Sequence, residues 1–417
     1  MSVPVLIAVR GARESEVAAI VGAAPGLKVA RRCADLSEAL AAAHAGVGAV
    51  VLVSEQPHLH RGTVGEFAAV GVVVVGVPSG PEAAEHLRGL GIEDLIPADA
   101  DAESLAAVVT AVVTAAARRA PDRELAVASA SRIPAVAPLT RGAVIAVWGP
   151  AGAPGRTTLA AAMAYDLAQR ESVILVDVDT YGGAIAQTLG LLDEAPGIAA
   201  LARASLHGTL TDETVARHAL SVSAGLRVLS GITRPDRWPE LSPSALEPVW
   251  ELLRKHAAVT IIDCASPLES DEELQYDTRA PQRNGATLSA LAAADVVVAI
   301  GSAEPVGLQR LVHGLATLEA VVPEATTPRL VVVNRVRPSV AGVRPREAVA
   351  DALLRYSGVH KVWTVGWDPR ACDAAALAGQ ALGERAPRSA ARKGMQAVAF
   401  AARAMAPARG AAVSALR

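Results

Sequence analysis

A short segment near the middle of the chain, residues 144–162, limits the possible folds more than any other. Its sequence, VIAVWGPAGAPGRTTLAAA, begins with a continuous apolar run typical of a strand buried on both faces. The run enters a turn rich in glycine and proline, and the turn opens a helix rich in alanine. Small residues let backbone N–H groups approach a phosphate, and a helix N-terminus adds partial positive charge. The segment therefore predicts an α/β fold with a phosphate-binding loop.

The loop offers a residue for each part of phosphate binding. Gly152 and Gly155 lie where the backbone must approach closely, Arg156 occupies the position of the cation, and Thr157 occupies that of the magnesium-binding hydroxyl. The strict pattern GxxxxGK[ST] requires glycine at Pro150 and lysine at Arg156. A degenerate loop of this kind is a weak signal alone, because glycine and proline turns are common before helices.

Three aspartates strengthen the interpretation of this loop. Asp177 and Asp179 end the apolar run VILVDVD, and Asp263 ends the run VTIID. Carboxylates at the C-terminal edge of parallel strands, beside a phosphate loop, can bind Mg²⁺ directly or through water. A single aspartate at such a position is more often a cap or turn residue, but three in this order favour a magnesium-nucleotide site.

Apolar runs alternate with helical segments through most of the chain. This pattern predicts a flavodoxin-like doubly wound domain over residues 1–118 and a larger, mostly parallel α/β domain over residues 142–405. Residues 119–141, rich in proline, alanine and serine, are expected to be a linker, and residues 406–417 a frayed tail. The predicted strands are Val3–Val9, Leu27–Ala30, Ala49–Val53, Val72–Val77, Asp94–Pro97, Ala143–Trp148, Val173–Asp177, Leu226–Leu229, Val259–Asp263, Val296–Ile300, Leu330–Val333 and Lys361–Val365.

Composition excludes several classes of protein. A length of 417 residues suggests two or three domains, and a net charge of −3 argues against a chain that mainly coats nucleic acid. The three cysteines are far apart, which argues against a disulfide scaffold or a zinc site. The longest apolar run, Phe67–Val77, is far shorter than the roughly 20 residues of a membrane-spanning helix. We expect a cytoplasmic chain without a signal peptide.

On these motifs, residues 142–405 resemble the MinD/ParA family of P-loop ATPases, and in particular its CpaE/TadZ branch, which is associated with pilus assembly and septum or pole positioning. That branch carries an N-terminal receiver-like domain, which fits residues 1–118. The family loop KGGVGKTT corresponds to AGAPGRTT, which ends at Thr158. The resemblance implies that ATP is bound by Gly152, Ala153, Pro154, Gly155, Arg156, Thr157 and Thr158.

The resemblance also assigns roles to the acidic residues. Asp177 and Asp179 match the family's D-x-D motif, in which the second aspartate orients the attacking water, so Asp179 is the expected catalytic residue and Asp177 a nucleotide-site residue. Asp263 matches the Walker B aspartate, which implies that it holds Mg²⁺ together with Thr157.

Three further positions are implied to lie near the nucleotide base. Asn334 and Arg335 match the family's adenine-contacting Asn-Arg pair. Asp368 matches the aspartate of a later P-x-D loop, whose proline is missing here.

Two departures from the family lie in the phosphate loop. The family's hallmark lysine, which reaches the phosphates of a dimer partner, is Ala151, and the Walker lysine is Arg156. Each change removes or redirects a charge-assisted contact. We expect nucleotide binding to survive and fast hydrolysis not to, unless a neighbouring arginine compensates.

The first domain also lacks the residues that are typical of receiver domains. Where receivers have an acidic pair after the first strand, this chain has Val9-Arg10-Gly11. Where they have a phosphoacceptor aspartate, it has Ser54-Glu55, and where they have a lysine before proline, it has Ile96-Pro97. We expect a docking or dimerisation module rather than a phosphoryl switch.

Two segments keep alternative interpretations. The charged stretch Glu269–Arg283 is either a solvated loop or a nucleotide-responsive switch. The stretch Arg388–Met405 is either a last helix on the sheet or a basic amphipathic helix that binds membrane.

Together these features predict an ATP- and Mg²⁺-binding positioning protein with weak or absent hydrolysis. The expected partners are a second copy of the chain and components of a pilus, secretion or division machinery, with peripheral membrane association at a pole or septum; DNA is not expected. Two alternatives are an active ATP-hydrolysing switch on membrane or DNA, and a scaffold that binds no nucleotide.

Overall fold

The computed structural model describes residues 2–11, 13–56, 59–97, 100–125, 141–152, 154–191, 196–269 and 282–406. Predictions that fall on Ala153, on residues 126–140 of the linker, on residues 270–281 and on the tail from residue 407 lie outside the described residues. The chain forms two compact units, each built on one sheet. Both units are mixed α/β with mostly parallel strands, which confirms the predicted fold class.

The first unit is a parallel sheet of four strands in the order β2-β1-β3-β4. Alternate residues of β1 enter two different apolar cores, because successive side chains of a strand point to opposite faces. One core contains residues of α1 and α5, and the other contains residues of α2, α3 and α4. The elements are β1 Val3–Ala8, α1 Arg13–Ala23, β2 Leu27–Arg32, α2 Leu36–His44, β3 Val50–Val53, α3 Arg61–Ala69, β4 Val73–Gly76, α4 Pro81–Gly89 and α5 Ala102–Leu125.

Three details of this unit differ from expectation. The predicted strand Asp94–Pro97 is reduced to an isolated bridge between Gly76 and Leu95, so four strands form instead of five. Helix α3 was not predicted, and α5 continues to Leu125, beyond residue 118. The strand order is nevertheless that of the first four strands of a flavodoxin-like sheet.

The second unit is a sheet of eight strands in the order β12-β11-β10-β5-β9-β6-β8-β7. All neighbouring strands are parallel except β7, which runs antiparallel to β8 at the edge. The strands are β5 Ala143–Trp148, β6 Val173–Asp177, β7 Leu220–Ser223, β8 Leu226–Leu229, β9 Val259–Asp263, β10 Val296–Ser302, β11 Arg329–Val336 and β12 Val362–Gly366.

Helices cover the larger sheet. A 3-10 helix, Pro235–Glu240, precedes the α-helix Pro243–His256. The α-helices are α6 Arg156–Ala168, α7 Ile185–Thr188, α8 Gly197–Leu206, α9 Asp212–His218, α10 Pro243–His256, α11 Gly285–Ala293, α12 Pro305–Val321, α13 Pro338–Ala341, α14 Pro345–Ser357, α15 Pro369–Ala378, α16 Leu382–Arg385 and α17 Ala390–Met405.

The last helix, α17, lies on the sheet beside α6. Its apolar residues Met395 and Val398 are buried in the core shared with α6, and Arg392 pairs with the buried Asp166 of α6 at 2.6 Å. The apolar side of the helix is thus buried within the protein. In the part of the chain that the structure describes, no helix is long and apolar enough to cross a membrane.

Strand register positions the predicted site residues. β5 lies between β9 and β10, and β9 also pairs with β6. Asp177 at the end of β6 is directly opposite Asp263 at the end of β9, and Asp263 is also opposite Val147 of β5. Because the three strands are parallel, the loops that follow them open at the same edge of the sheet.

Candidate functional site

The phosphate loop connects the fully buried strand β5 to α6, as the sequence predicts. Gly152 and Gly155 adopt φ of 112° and 97°, in the left-handed region that favours glycine. Gly155 directly precedes the first residue of α6, and a Cβ at this position would lie 2.6 Å from the side-chain nitrogen of Asn334. The loop therefore needs glycine here both for its backbone conformation and for its contact with Asn334.

The Arg156 side chain turns back over its own loop. Its Nη1 donates to the carbonyl oxygen of Gly149 at 3.0 Å and to that of Pro150 at 3.3 Å. Its Nη2 donates to Oδ2 of Asp179 at 3.2 Å. The cation predicted for phosphate binding thus lies at the loop and connects it to the carboxylate that follows β6.

Thr157 and Asp263 meet at the N-terminus of α6. The Thr157 hydroxyl donates to Oδ2 of Asp263 at 2.6 Å, while Oδ1 of Asp263 is buried and has no hydrogen-bond partner among the described residues. Burial, and next the charge of Asp177, raise the pKa of Asp263 well above its ordinary value. A hydroxyl beside an unpartnered buried carboxylate oxygen fits Mg²⁺, which takes oxygen ligands.

A complete metal site from protein residues alone is not present in the described segments, where no group of three or more His, Cys, Asp or Glu side chains is arranged to hold a metal. Mg²⁺ in nucleotide sites usually uses one or two protein ligands and completes its shell with water and phosphate oxygens. The pair formed by Thr157 and Asp263 fits that mode of binding.

Asp177 shapes the turn that follows β6. Its carboxylate is fully buried and accepts backbone N–H groups from Asp179 at 3.0 Å and Ile185 at 3.1 Å. Burial raises its pKa to about 6. Through these hydrogen bonds Asp177 stabilises the turn and fixes the position of Asp179 within it.

Asp179 belongs to the same turn and has a different set of partners. Its Oδ1 accepts the backbone N–H groups of Tyr181 at 2.9 Å and Gly182 at 3.0 Å, and its Oδ2 accepts from Arg156. Both oxygens are therefore engaged within the protein. The structure brings Asp179, Arg156, Thr157 and Asp263 together, as the sequence predicts.

Asn334 lies against the phosphate loop. Its side-chain nitrogen donates to the carbonyl oxygen of Pro154 at 2.8 Å, and its side-chain oxygen accepts the N–H of Arg335 at 2.8 Å. Arg335 itself adopts a φ of 59°. The predicted base-contacting asparagine therefore also fixes the position of the loop.

Asp368 lies at the N-terminus of α15 and caps it. Its Oδ1 accepts the N–H of Ala371 at 3.3 Å, and its Oδ2 accepts the hydroxyl of Ser389 at 2.7 Å. The neighbouring Trp367 is 43% exposed, and the guanidinium of Arg335 lies 5.3 Å from its ring centre. An exposed aromatic ring thus lies beside Arg335, one of the predicted base-contacting residues.

A cavity of about 290 Å³ opens beside the phosphate loop and contains a residue that sequence reasoning missed. That residue is Arg310 on α12, whose Nη1 donates to the carbonyl oxygen of Ala151 at 3.4 Å. The one available signal is its position just after β10, the strand that pairs with β5. The cavity is lined by Pro150, Ala151, Gly152, Pro154, Gly301, Ser302, Glu304, Val306, Gly307, Arg310 and Arg335.

Arg283, the last residue of the charged stretch Glu269–Arg283, joins the turn after β6 to the segment before α11. Its guanidinium donates to the hydroxyl of Thr180 at 2.8 Å and lies 3.8 Å from the ring centre of Tyr181. The Tyr181 hydroxyl in turn donates to the Asn284 side chain at 2.8 Å. The end of the charged stretch predicted as loop or switch is thereby tied to the turn that carries Asp179.

Solved structures align with part of this chain. The ParA family ATPase from Chlorobium tepidum TLS aligns with a TM-score of 0.52 at 16% identity, over 63% of this chain and 99% of that one. The cell division ATPase MinD from Pyrococcus furiosus aligns with a TM-score of 0.49 at 21% identity, over 62% of this chain and 97% of that one. No curated protein sequence matches the chain.

A sequence family also matches the part of the chain that contains the site. Residues 145–376 match the CobQ/CobB/MinD/ParA nucleotide binding domain, and this range contains the phosphate loop and all three aspartates at the strand ends. The matched segment is more than half of the chain. The protein therefore belongs to the CobQ/CobB/MinD/ParA nucleotide-binding domain family.

Proposed function

We propose that the protein binds Mg-ATP at the phosphate loop and hydrolyses it weakly or not at all. The observation that carries the proposal is the pair formed by Thr157 and Asp263, in which a buried carboxylate oxygen lacks a partner within the described chain beside a hydroxyl at the helix N-terminus. An unpaired buried carboxylate oxygen is costly, and a cation held there would remove that cost. Membership of a nucleotide-binding family supports the same conclusion.

Different groups at the site would bind the phosphates and the metal ion. Backbone N–H groups of the loop and of the first turn of α6 would surround the phosphates, Arg156 would contribute charge, and Thr157 and Asp263 would hold Mg²⁺. Bound Mg-ATP supplies a terminal phosphate that water can attack. Asp179 would orient that water, as the resemblance of the D-x-D motif implies.

Two side chains, Ala151 and Arg156, support weak hydrolysis. Ala151 carries no charge where the family has a lysine, so one contact to developing negative charge is absent. Arg156 also forms an ion pair with Asp179 at 3.2 Å, which engages the carboxylate expected to orient water. The site would therefore bind ATP but hydrolyse it slowly.

The cellular role that we propose is the positioning of a pilus, secretion or division assembly. It rests on the resemblance of the sequence to the CpaE/TadZ branch and on the order of the two units, a smaller α/β unit before the nucleotide-binding one. Such a protein would act as a homodimer, with the first unit as its docking or dimerisation module. Peripheral association with the membrane is part of the same proposal.

A scaffold that binds no nucleotide is the second candidate function. One observation favours it: the Arg156 guanidinium satisfies the carbonyl oxygens of Gly149 and Pro150, so the loop is stabilised by its own side chain. In such a scaffold the loop would be a structural turn.

Calorimetric titration of the full chain with Mg-ATP separates these candidates. We expect saturable binding by the wild type and its loss in Arg156→Ala, while Arg355→Ala, which removes an exposed arginine of α14, binds as the wild type does. Absence of wild-type binding at millimolar Mg-ATP would reject the nucleotide site and favour the scaffold. Release of inorganic phosphate by the same samples then distinguishes slow from rapid turnover.

A further inference from the structure

Arg310 lies over the phosphate loop from a neighbouring helix. Helix α12 begins just after β10, and β10 pairs directly with β5, the strand that enters the loop. The Arg310 guanidinium donates to the carbonyl oxygen of Ala151. A Cβ at Gly152 would overlap the Nη1 atom of Arg310, so the glycine leaves the space that the guanidinium occupies.

The contact that Arg310 makes is weak and easily exchanged. Its distance of 3.4 Å to the Ala151 carbonyl oxygen is at the long end for a hydrogen bond. Over the ranges that the structure describes, no carboxylate forms an ion pair with Arg310. Exchange of a neutral carbonyl for an anionic oxygen would strengthen the hydrogen bond, because charge-assisted hydrogen bonds are roughly twice as strong as neutral ones.

The charges around the cavity favour an anion. Arg310 and Arg335 both line it, whereas Glu304 is the one carboxylate among the residues that line it. Glu304 accepts from Arg337 at 2.9 Å, so its charge is already balanced. A phosphate group beside the loop would therefore meet positive charge from the α12 side as well as from α6.

We propose that Arg310 is a phosphate-binding residue that supplies, from the same chain, the cationic contact that Ala151 cannot make. The proposal rests on the proposed nucleotide binding and assigns to it a residue outside the loop motif. A guanidinium suits the task because its fork of donors matches phosphate oxygens. Two arginines on different helices, Arg156 and Arg310, would then contact the phosphates of one nucleotide.

The test compares the affinity of full-length variants for Mg-ATP by calorimetry. We expect Arg310→Ala to weaken binding about ten- to a hundredfold, the usual value of a hydrogen bond to a charged group. Arg310→Lys keeps the charge and should retain most of the affinity, and Arg355→Ala should bind like the wild type. The unfolding midpoint of Arg310→Ala should match that of the wild type, because the side chain is exposed.

The outcomes separate this proposal from the function on which it rests. If the wild type binds Mg-ATP and Arg310→Ala binds equally well, the assignment of Arg310 is wrong and the nucleotide site stands. If Arg310→Lys loses as much affinity as Arg310→Ala and both lower the unfolding midpoint, the residue is structural and the assignment is again wrong. If the wild type itself does not bind, the proposed nucleotide site fails and the role of Arg310 fails with it.

Discussion

The Arg156 guanidinium donates to the Asp179 carboxylate at 3.2 Å, and the two side chains are only 14% and 8% exposed. The same guanidinium holds the carbonyl oxygens of Gly149 and Pro150. Two different nitrogens make these contacts, Nη1 toward the loop and Nη2 toward the carboxylate. A lysine has a single terminal nitrogen and cannot reproduce this bridge.

The first prediction concerns this bridge. We expect Arg156→Lys to raise ATP turnover about tenfold or more, because lysine keeps a charge for the phosphates while it releases Asp179. Phosphate release at saturating Mg-ATP measures the effect. Adding Asp179→Asn to Arg156→Lys should return the rate to the wild-type level. Turnover that does not change in Arg156→Lys would show that the ion pair does not limit the reaction.

The second prediction concerns magnesium at Asp263. Asp263→Asn should keep the hydrogen bond from Thr157 but remove the negative charge, so the gain in ATP affinity that Mg²⁺ gives should fall about tenfold. Thr157→Ser keeps the hydroxyl and serves as the control. The measurement is calorimetry with ATP in the presence of Mg²⁺ and in the presence of chelator. An Asp263→Asn variant with undiminished magnesium dependence would remove Asp263 from the metal site.

Local pattern was sufficient for the centre of the larger sheet. The strands Ala143–Trp148, Val173–Asp177 and Val259–Asp263 have the bounds that the sequence predicts, because each is a continuous apolar run buried on both faces. The sequence also predicts that Asp177 and Asp263, which end two of these strands, lie at the same edge of the sheet, because parallel strands end on the same side. Short elements at the periphery were missed, as with the edge strand Leu220–Ser223, where apolar residues alternate with serine.

Contacts between distant segments account for the part of the site that the sequence did not predict. Nothing near Asn334 in the chain indicates that its side chain holds the carbonyl oxygen of Pro154, because that contact depends on how β11 lies beside the loop. Apart from its position after β10, nothing near Arg310 marks it as a neighbour of Ala151. Likewise, a D-x-D pattern cannot reveal that Asp177 accepts backbone N–H groups while Asp179 meets Arg156.

The third prediction concerns Gly155. Gly155→Ala should lower the free energy of unfolding by about 1–2 kcal/mol, because its φ of 97° disfavours a side chain, and should also abolish ATP binding, because the new Cβ displaces the Asn334 side chain. Gly182→Ala is the matched control, since a Cβ there meets no atom within 4 Å. Normal ATP binding by Gly155→Ala would show that the loop tolerates this displacement.

The fourth prediction concerns the ion pair between Asp166 and Arg392. Asp166→Ala should lower the free energy of unfolding by about 3 kcal/mol, because the Asp166 side chain is fully buried and Arg392 would lose its partner. Urea unfolding followed by tryptophan fluorescence measures it. Arg344→Ala breaks an exposed pair with Glu347 and should cost under about 1 kcal/mol. Equal effects of the two variants would contradict the structural role assigned to the buried pair.

The last prediction concerns pH and Asp177, whose pKa is raised by burial from 3.8 to about 6. The folded protein holds this proton more tightly than the unfolded chain does, so the stabilisation is complete below about pH 4 and is lost as the pH rises through about 6. We expect this group to lower the free energy of unfolding by up to about 3 kcal/mol over that interval. Tryptophan fluorescence during urea unfolding reports on the second unit alone, because all five tryptophans lie between residues 148 and 367.

Asp177→Asn isolates this contribution, because asparagine cannot ionise while the rest of the site still titrates. The free energy of unfolding of the wild type, measured relative to that of the variant, should decrease as the pH rises from about 4 to about 6. Above about pH 6 the difference should stay constant. A difference that does not depend on pH, or one that moves in favour of the wild type, would mean that Asp177 ionises at least as readily in the folded protein as in the unfolded chain. In that case the two hydrogen bonds that its carboxylate accepts from backbone N–H groups would offset the cost of burying the ionised carboxylate.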